Sequence, residues 1–345
     1  MTRESMRSRI KMENVAKAAG VSTMTVSRAL KKDSPISEKT RARILKIIRE
    51  MNYVPDLMAG GLSSMKSGFV ALLLPSLNNL HFAQTVEALS ETLARADLQI
   101  LLGHTGYSLH KEEELIELML GRRPEAIVLS YDGHTERARQ LLEHSSVPII
   151  EIWDLPDRPI QHTVGFSNFE AAHAMTSTLI RQGYRRLAFL GEADDTGTRG
   201  AARRRGFVAA MGAAGLSAHR LVRHKSPPVS IESGAEAAYI LLDRYPDTDC
   251  IFCVSDPAAF GVLSTLKKTG RCVPKDIAVV GFGNFEVSRF ADPPISTVAI
   301  DPKAIGRESG NLIADLLGIN GKSPKAMDEY LHIPVQYGLE FRESS

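Results

Sequence analysis

Asn14-Val-Ala-Lys-Ala-Ala-Gly-Val-Ser-Thr-Met-Thr-Val-Ser-Arg28 decides how the rest of the chain is read. Val15 and Ala19 recur one helical turn apart, Gly20 can supply a left-handed turn, and Val21 is apolar at the joint. That is the spacing of two short helices joined by a tight turn. Ser22 suits an N-cap, and Val26, Ala29 and Leu30 fall on one face of the second helix, leaving hydroxyls and Arg28 outward. A third helix is expected from Ser37, with Ile44, Leu45, Ile48 and Met51 on one side to cover the first two; Tyr53-Val54-Pro55 ends it. Residues 1–10 read as a flexible basic arm and Lys31–Pro35 as a loop.

Charge sets this region apart. Residues 1–66 carry 14 Lys and Arg against 6 Asp and Glu, and the remainder carries 28 against 34, so the overall +2 conceals a basic head and an acidic body. Such a head binds an anion, with nucleic acid the obvious polyanion, unless it is simply a solvated basic face. No run approaches the ~18 apolar residues of a membrane span, and the N-terminal stretch lacks an apolar targeting core, so a cytoplasmic protein is expected. The three cysteines are Cys250, Cys253 and Cys272. A metal or redox role for Cys250-x-x-Cys253 is set aside: the pair lies in an apparent buried strand, where an odd separation sends side chains to opposite faces.

Asp56 to Ser67, with Gly60-Gly61 inside it, is a linker that forms either a short helical turn capped by Asp56 or a plain tether. From Phe69 short apolar strands alternate with amphipathic helices. The strands are Phe69–Leu74, Gln99–Leu102, Ala126–Leu129, Val147–Ile152, Leu187–Leu190, Cys250–Val254 and Ala278–Gly281; helices such as Phe82–Ala96 and Arg203–Ala214 intervene. This is an α/β pattern of two parallel sheets in tandem, with a cleft between two lobes. Ligands of such sheets bind beyond the carboxyl ends of strands. Those ends carry Ser76, Asn79, His81 and Phe82, then Ser130-Tyr131-Asp132, Trp153-Asp154, Ser255-Asp256 and Gly283-Asn284. Each alone could be an ordinary turn residue or, for Trp153, a core one; their agreement across strands marks a ligand site. Arg203-Arg204-Arg205 opens a predicted helix, where cations oppose the helix dipole, which leaves an anion contact or solvated arginines as the readings.

No catalytic constellation is present. Gly281-x-Gly283 lacks the third glycine of a dinucleotide fingerprint, Gly321-Lys322-Ser323 lacks the first glycine of a phosphate loop, and neither G-x-S-x-G nor H-E-x-x-H occurs. The reading is a non-enzyme with no cofactor and no metal.

The 14–28 stretch, Ile36-Ser37 through Asn52-Tyr53-Val54-Pro55, Ala59 through Leu62, Arg203 three residues before Gly206-Phe207, Val280-Gly281-Phe282 and Pro293-Pro294 together resemble the lactose-repressor family of bacterial transcription regulators. The resemblance extends over the whole chain. It implies a helix-turn-helix DNA-binding head at 1–55, a hinge linker at 56–66, and a periplasmic-binding-protein-like effector-binding and dimerisation domain at 67–345. Lobe one would comprise about 67–184 and 298–325, and lobe two about 185–297 and 326–345. Thr23, Met24 and Ser27 or Arg28 would enter the major groove, Ser22 and Thr25 would face phosphates, and Ala59 and Leu62 would serve the hinge, Leu62 as a minor-groove wedge. One short helix reads few bases, so a homodimer on a pseudo-palindromic operator in double-stranded DNA is implied.

Lys11 and Asn14 depart from the usual start of the first helix, Gly60-Gly61 is unusual in the hinge, and Gly283 stands where the family commonly has an Asp that holds sugar hydroxyls. Losing that carboxylate while keeping Arg203, with His81 at the cleft, favours an anionic effector. Leu74 through Asn79, Phe82-Ala83, Gly106-Tyr107 and Val164 through Ala172 are similar to the gluconate-repressor branch, which makes gluconate or a related sugar acid the expected effector and carbohydrate-catabolism genes the target of repression. The rival readings are a carbohydrate-binding or carbohydrate-modifying protein with an incidental basic head, and the same regulator with a purine or neutral-sugar effector.

Overall fold

The computed structural model describes residues 10–30, 34–54, 67–130, 133–191, 198–223, 229–319 and 330–345. These divide into two compact units, residues 1–67 and 68–345. The linker 56–66 with Ala59 and Leu62, the arm 1–9, the Lys31–Asp33 part of the first loop, Tyr131, Asp132 and the Gly321–Ser323 turn lie outside the described residues.

The first unit contains α1 (Met12–Ala19), α2 (Thr23–Leu30) and α3 (Glu38–Glu50). Gly20 follows α1 with φ +62°, so the left-handed turn expected of it is made. The α1 start has its own solution: Asn14 Oδ1 accepts from the Lys11 backbone N–H at 2.8 Å. Ser22 Oγ accepts from Thr25 N–H at 3.2 Å and caps α2, and Ser37 does the same for α3 through Thr40. Val15, Ala16, Ala19, Val26, Ala29, Ile44, Ile48 and Tyr53 form a small core of their own.

Among the described residues the second unit holds two six-stranded sheets. Its elements in chain order are β1 (Phe69–Leu74), α4 (Leu80–Ala94), β2 (Gln99–His104), α5 (Leu109–Leu120), β3 (Ala126–Ser130), α6 (Glu136–Glu143), β4 (Ile149–Ile152), β5 (His162–Gly165) and α7 (Asn168–Arg181). There follow β6 (Leu187–Gly191), α8 (Arg199–Ala213), β7 (Leu221–Arg223), α9 (Ile231–Arg244), β8 (Cys250–Cys253) and α10 (Asp256–Lys268). The last are β9 (Ala278–Gly283), α11 (Glu286–Phe290), β10 (Ser296–Ile300), α12 (Pro302–Leu316), β11 (His332–Pro334) and β12 (Tyr337–Glu340). The strand orders are β11-β5-β4-β3-β1-β2 and β12-β10-β9-β8-β6-β7. Among the described residues all pairings are parallel except β10 with β12, an antiparallel edge that the strand pattern did not reveal.

The expected lobe boundaries need correction in three places. Helix α7 packs along α8, so 168–181 belong with the second sheet; β10 pairs with β9, which moves 298–300 there as well. β11 pairs with β5, returning 332–334 to the first sheet, while α12 lies on α4. The chain therefore crosses between the lobes after Gly165, after Ile300 and after Pro334. Cys250 and Cys253 are both buried and face different core clusters on opposite sides of β8, with burial pushing both thiols well above their ordinary pKa.

Candidate effector site and nucleic-acid interface

A cleft of about 580 Å³ opens between the carboxyl ends of the two sheets. Of the expected residues, Ser76, Asn79, His81, Phe82, Trp153, Arg203 and Ser255 line it. The caps place several of them: Asn79 Oδ1 accepts from His81 N–H at 3.0 Å to start α4, and Ser255 Oγ starts α10 by accepting from Ala258 N–H. Both helices therefore begin at the cleft wall, which places the partial positive charge of their N-termini there.

Arg203 is held rigidly. Its Nε donates to Asn168 Oδ1 at 2.9 Å, one terminal nitrogen donates to the Val254 carbonyl at 2.7 Å, and its guanidinium carbon sits 3.7 Å from the centre of the Phe282 ring. Asn168 is fully buried and donates in turn to the Trp153 carbonyl at 2.9 Å. One amide thus fixes both Arg203 and Trp153. Trp153 lines the cleft, is only 3% exposed and has φ +75°, and its buried indole N–H has no acceptor among the described residues.

Two expected residues stand elsewhere. Asn284 does not line the cleft: its Oδ1 accepts from Arg342 at 2.7 Å, and the residue borders a neighbouring cavity instead. Ser130 is buried behind the wall, where its hydroxyl accepts from Arg199 at 2.5 Å. Arg203-Arg204-Arg205 also does not open its helix; Thr198 caps α8 and Arg199 is the first helical residue, so Arg203 lies one turn in.

The sequence reading missed Arg199, which lines the cleft, is buried, and lies 5.2 Å from the centre of the Phe82 ring. Its signal was present, since it stands one helical turn before Arg203 and therefore on the same face. The reading also missed Phe285, whose ring stacks on His81 with centroids 3.7 Å apart at 22°. His81 stacks on Trp153 at 5.8 Å. Burial and the neighbouring Arg203 lower the His81 pKa to about 3, so its ring is neutral. Below Phe285, the buried Asp256 accepts from the Phe285 N–H at 2.6 Å and from the Thr297 hydroxyl at 2.6 Å. Burial raises its pKa to about 6 despite those bonds.

On the head, Ser22, Thr23, Met24 and Arg28 are exposed, with Met24 at 64%, while Thr25 and Ser27 are half-buried. The Ser22 and Thr25 hydroxyls bond each other at 2.9 Å. An exposed methionine at the start of a helix whose opposite face is core is a large apolar side chain that the head itself leaves uncovered.

Residues 11–56 match the model for bacterial regulatory proteins of the lacI family, and 176–345 match the periplasmic binding protein-like domain. The HTH-type transcriptional regulator GntR of Pseudomonas aeruginosa is 34% identical over 317 residues, covering 92% of this chain and 92% of the relative. This chain belongs to the lacI family. The GntR regulator of Escherichia coli strain K12 is 31% identical over 319 residues, covering 92% and 95% of the two chains. A crystallised lacI-family transcriptional regulator from Silicibacter pomeroyi shares 58% identity and a TM-score of 0.76, covering 80% of this chain and 98% of that one. As a lacI-family member the chain is a DNA-binding transcriptional regulator that responds to a small-molecule effector. Among the described residues no helix is long and apolar enough to cross a membrane.

Proposed function

We propose that this lacI-family regulator is a cytoplasmic homodimer that represses sugar-acid catabolism genes from a pseudo-palindromic operator, and that a sugar acid of the gluconate type binds in the cleft. The observation that carries the effector class is the pairing of Arg199 and Arg203 on one cleft wall, with Trp153 also lining the cleft. Two guanidiniums suit a carboxylate. The arginines come from the second lobe and Trp153 from the first, so one ligand contacts both. Its affinity then depends on how the lobes are oriented, which supplies about 1–3 kcal/mol of coupling to operator binding.

On the head, Thr23, Met24 and Ser27 or Arg28 are assigned to base edges and Ser22 and Thr25 to phosphates. Ala59 and Leu62 are assigned to the hinge by sequence alone. Similarity to GntR regulators supports the sugar-acid target. Operator binding titrated with and without gluconate tests the reading. Indifference to every sugar acid tried, together with a response to a purine or neutral sugar, would replace the effector; absence of sequence-selective DNA binding would remove the repressor.

A further inference from the structure

The His81 and Phe285 rings form more than one side of the cleft. Both also border a second cavity of about 530 Å³, whose walls include Gln84, Asn284, Arg289 and Lys303. The stacked pair, with Ile300 beside it, is therefore a thin wall between the two cavities. His81 comes from α4 on the first lobe and Phe285 follows β9 on the second, so the wall is made of one ring from each.

Gly283 is what lets Phe285 take this position. Its φ is +126°, and a Cβ there would lie 2.5 Å and 2.7 Å from Phe285 ring carbons and 2.9 Å from His81 Cε1. Those distances are below any tolerable contact, so a side chain at 283 and the stacked Phe285 exclude one another. The backbone below is fixed independently, because Asp256 holds the Phe285 N–H. The ring can leave while the loop stays.

We propose that Phe285 is the specificity-determining partition of the cleft: stacked on His81 it limits the effector to a single short sugar acid, and without it the two cavities merge and admit an acid carrying a second sugar. This length rule rests on the sugar-acid reading; the partition itself does not. The polar walls of the second cavity suit the added hydroxyls.

The test uses the full chain with Phe285→Ala, Phe285→Leu and Gly283→Ala. The sole tryptophan, Trp153, reports the wall without any ligand, since it lies against His81. Acrylamide quenching of its fluorescence is expected to rise at least twofold in Phe285→Ala and in Gly283→Ala, and to stay near the parent in Phe285→Leu, with unaltered far-ultraviolet dichroism. Calorimetry with gluconate and with lactobionate, which is gluconate bearing a galactosyl group, is expected to show at least a tenfold shift of relative affinity toward lactobionate in Phe285→Ala. Unchanged quenching overturns the partition, and an unchanged affinity ratio with both acids bound overturns the length rule. If no form binds either acid, the sugar-acid reading and the length rule fall together, and quenching still decides the partition.

Discussion

Arg199 donates a hydrogen bond at 2.5 Å to the hydroxyl of Ser130, and the two residues belong to opposite lobes. The guanidinium that faces the cleft is thus also tied to the last residue of β3. A carboxylate arriving in the cleft meets an arginine already oriented. Arg199→Gln is expected to lower gluconate affinity at least tenfold by calorimetry while leaving effector-free operator binding within threefold. Ser130→Ala removes a bond to a charged donor, and urea unfolding should register a loss of about 1.5–3 kcal/mol.

Arg203→Ala should cost an anionic effector about 2–5 kcal/mol in calorimetry, because a charge-assisted contact is lost. Arg203→Lys should recover only part of this. A lysine supplies the charge but cannot simultaneously reach Asn168 and the Val254 carbonyl with a planar fork. Equal affinity in parent and Arg203→Ala would show that the effector is not held by its charge.

Asn168→Leu should be costly although the two side chains share the same branched outline. It strands the Trp153 carbonyl and the Arg203 Nε at once, each bonded to the Asn168 amide at 2.9 Å in the parent. Unsatisfied buried groups cost about 1–3 kcal/mol each, so denaturant midpoints should fall by an amount at the upper end of that range or beyond. The effector affinity should fall with it, since both Trp153 and Arg203 lose their support.

His134 gives a signature in pH. It is buried between two carboxylates, with Nδ1 2.8 Å from Glu112 and Nε2 3.3 Å from Glu151. Burial works against the imidazolium, but the bonds and charges of Glu112 and Glu151 outweigh it and raise the pKa to about 9. A raised histidine contributes stability that is complete below the unfolded value near 6.5 and is lost as pH climbs through 9. Melting temperature should therefore decline from pH 7 to 10, and His134→Gln should flatten that slope. The variant should also be less stable at pH 7, because removing the cation leaves buried carboxylates uncompensated, at about 3–5 kcal/mol.

Ile44 is fully buried in the head core. Ile44→Ala should destabilise that unit by about 2–5 kcal/mol. Operator binding should then weaken sharply while effector affinity stays at the parent value, because Ile44 belongs to a core separate from those of residues 68–345.

What could be read from residues was what local periodicity encodes. Val15, Ala19, Val26 and Ala29 repeat at helical spacing, and their core is where that spacing puts it. β1 is buried over Val70–Leu74 as its continuous apolar run requires. Ser76, Asn79 and Ser255 follow strand ends and so reach the cleft. What escaped depends on partners far away in sequence. Asn284 has the right residue type at a strand end, yet Arg342 turns its amide aside. Arg199 escapes a reading by periodicity because the arginine triplet suggests a helix start at Arg203, four residues after the true one. Phe285 becomes a wall only because Gly283 is bare and His81, two hundred residues earlier, is stacked opposite. β11 and β12 are three and four residues long, with no burial rhythm to betray them.

Those two short strands make the final segment a shared seam. β11 closes the edge of one sheet and β12 the edge of the other, and beyond them Ser344 is fully buried, bonding the Val279 carbonyl and the Ser296 N–H. Loss of residues 330–345 by a frameshift or a stop codon would unravel both lobes together instead of trimming one. Neither lobe can be excised as a continuous piece of gene, because each is stitched from separated stretches. Recombination that exchanges one lobe between relatives must therefore carry over several segments at once, whereas the first unit, a single continuous stretch, can be exchanged by a single cut.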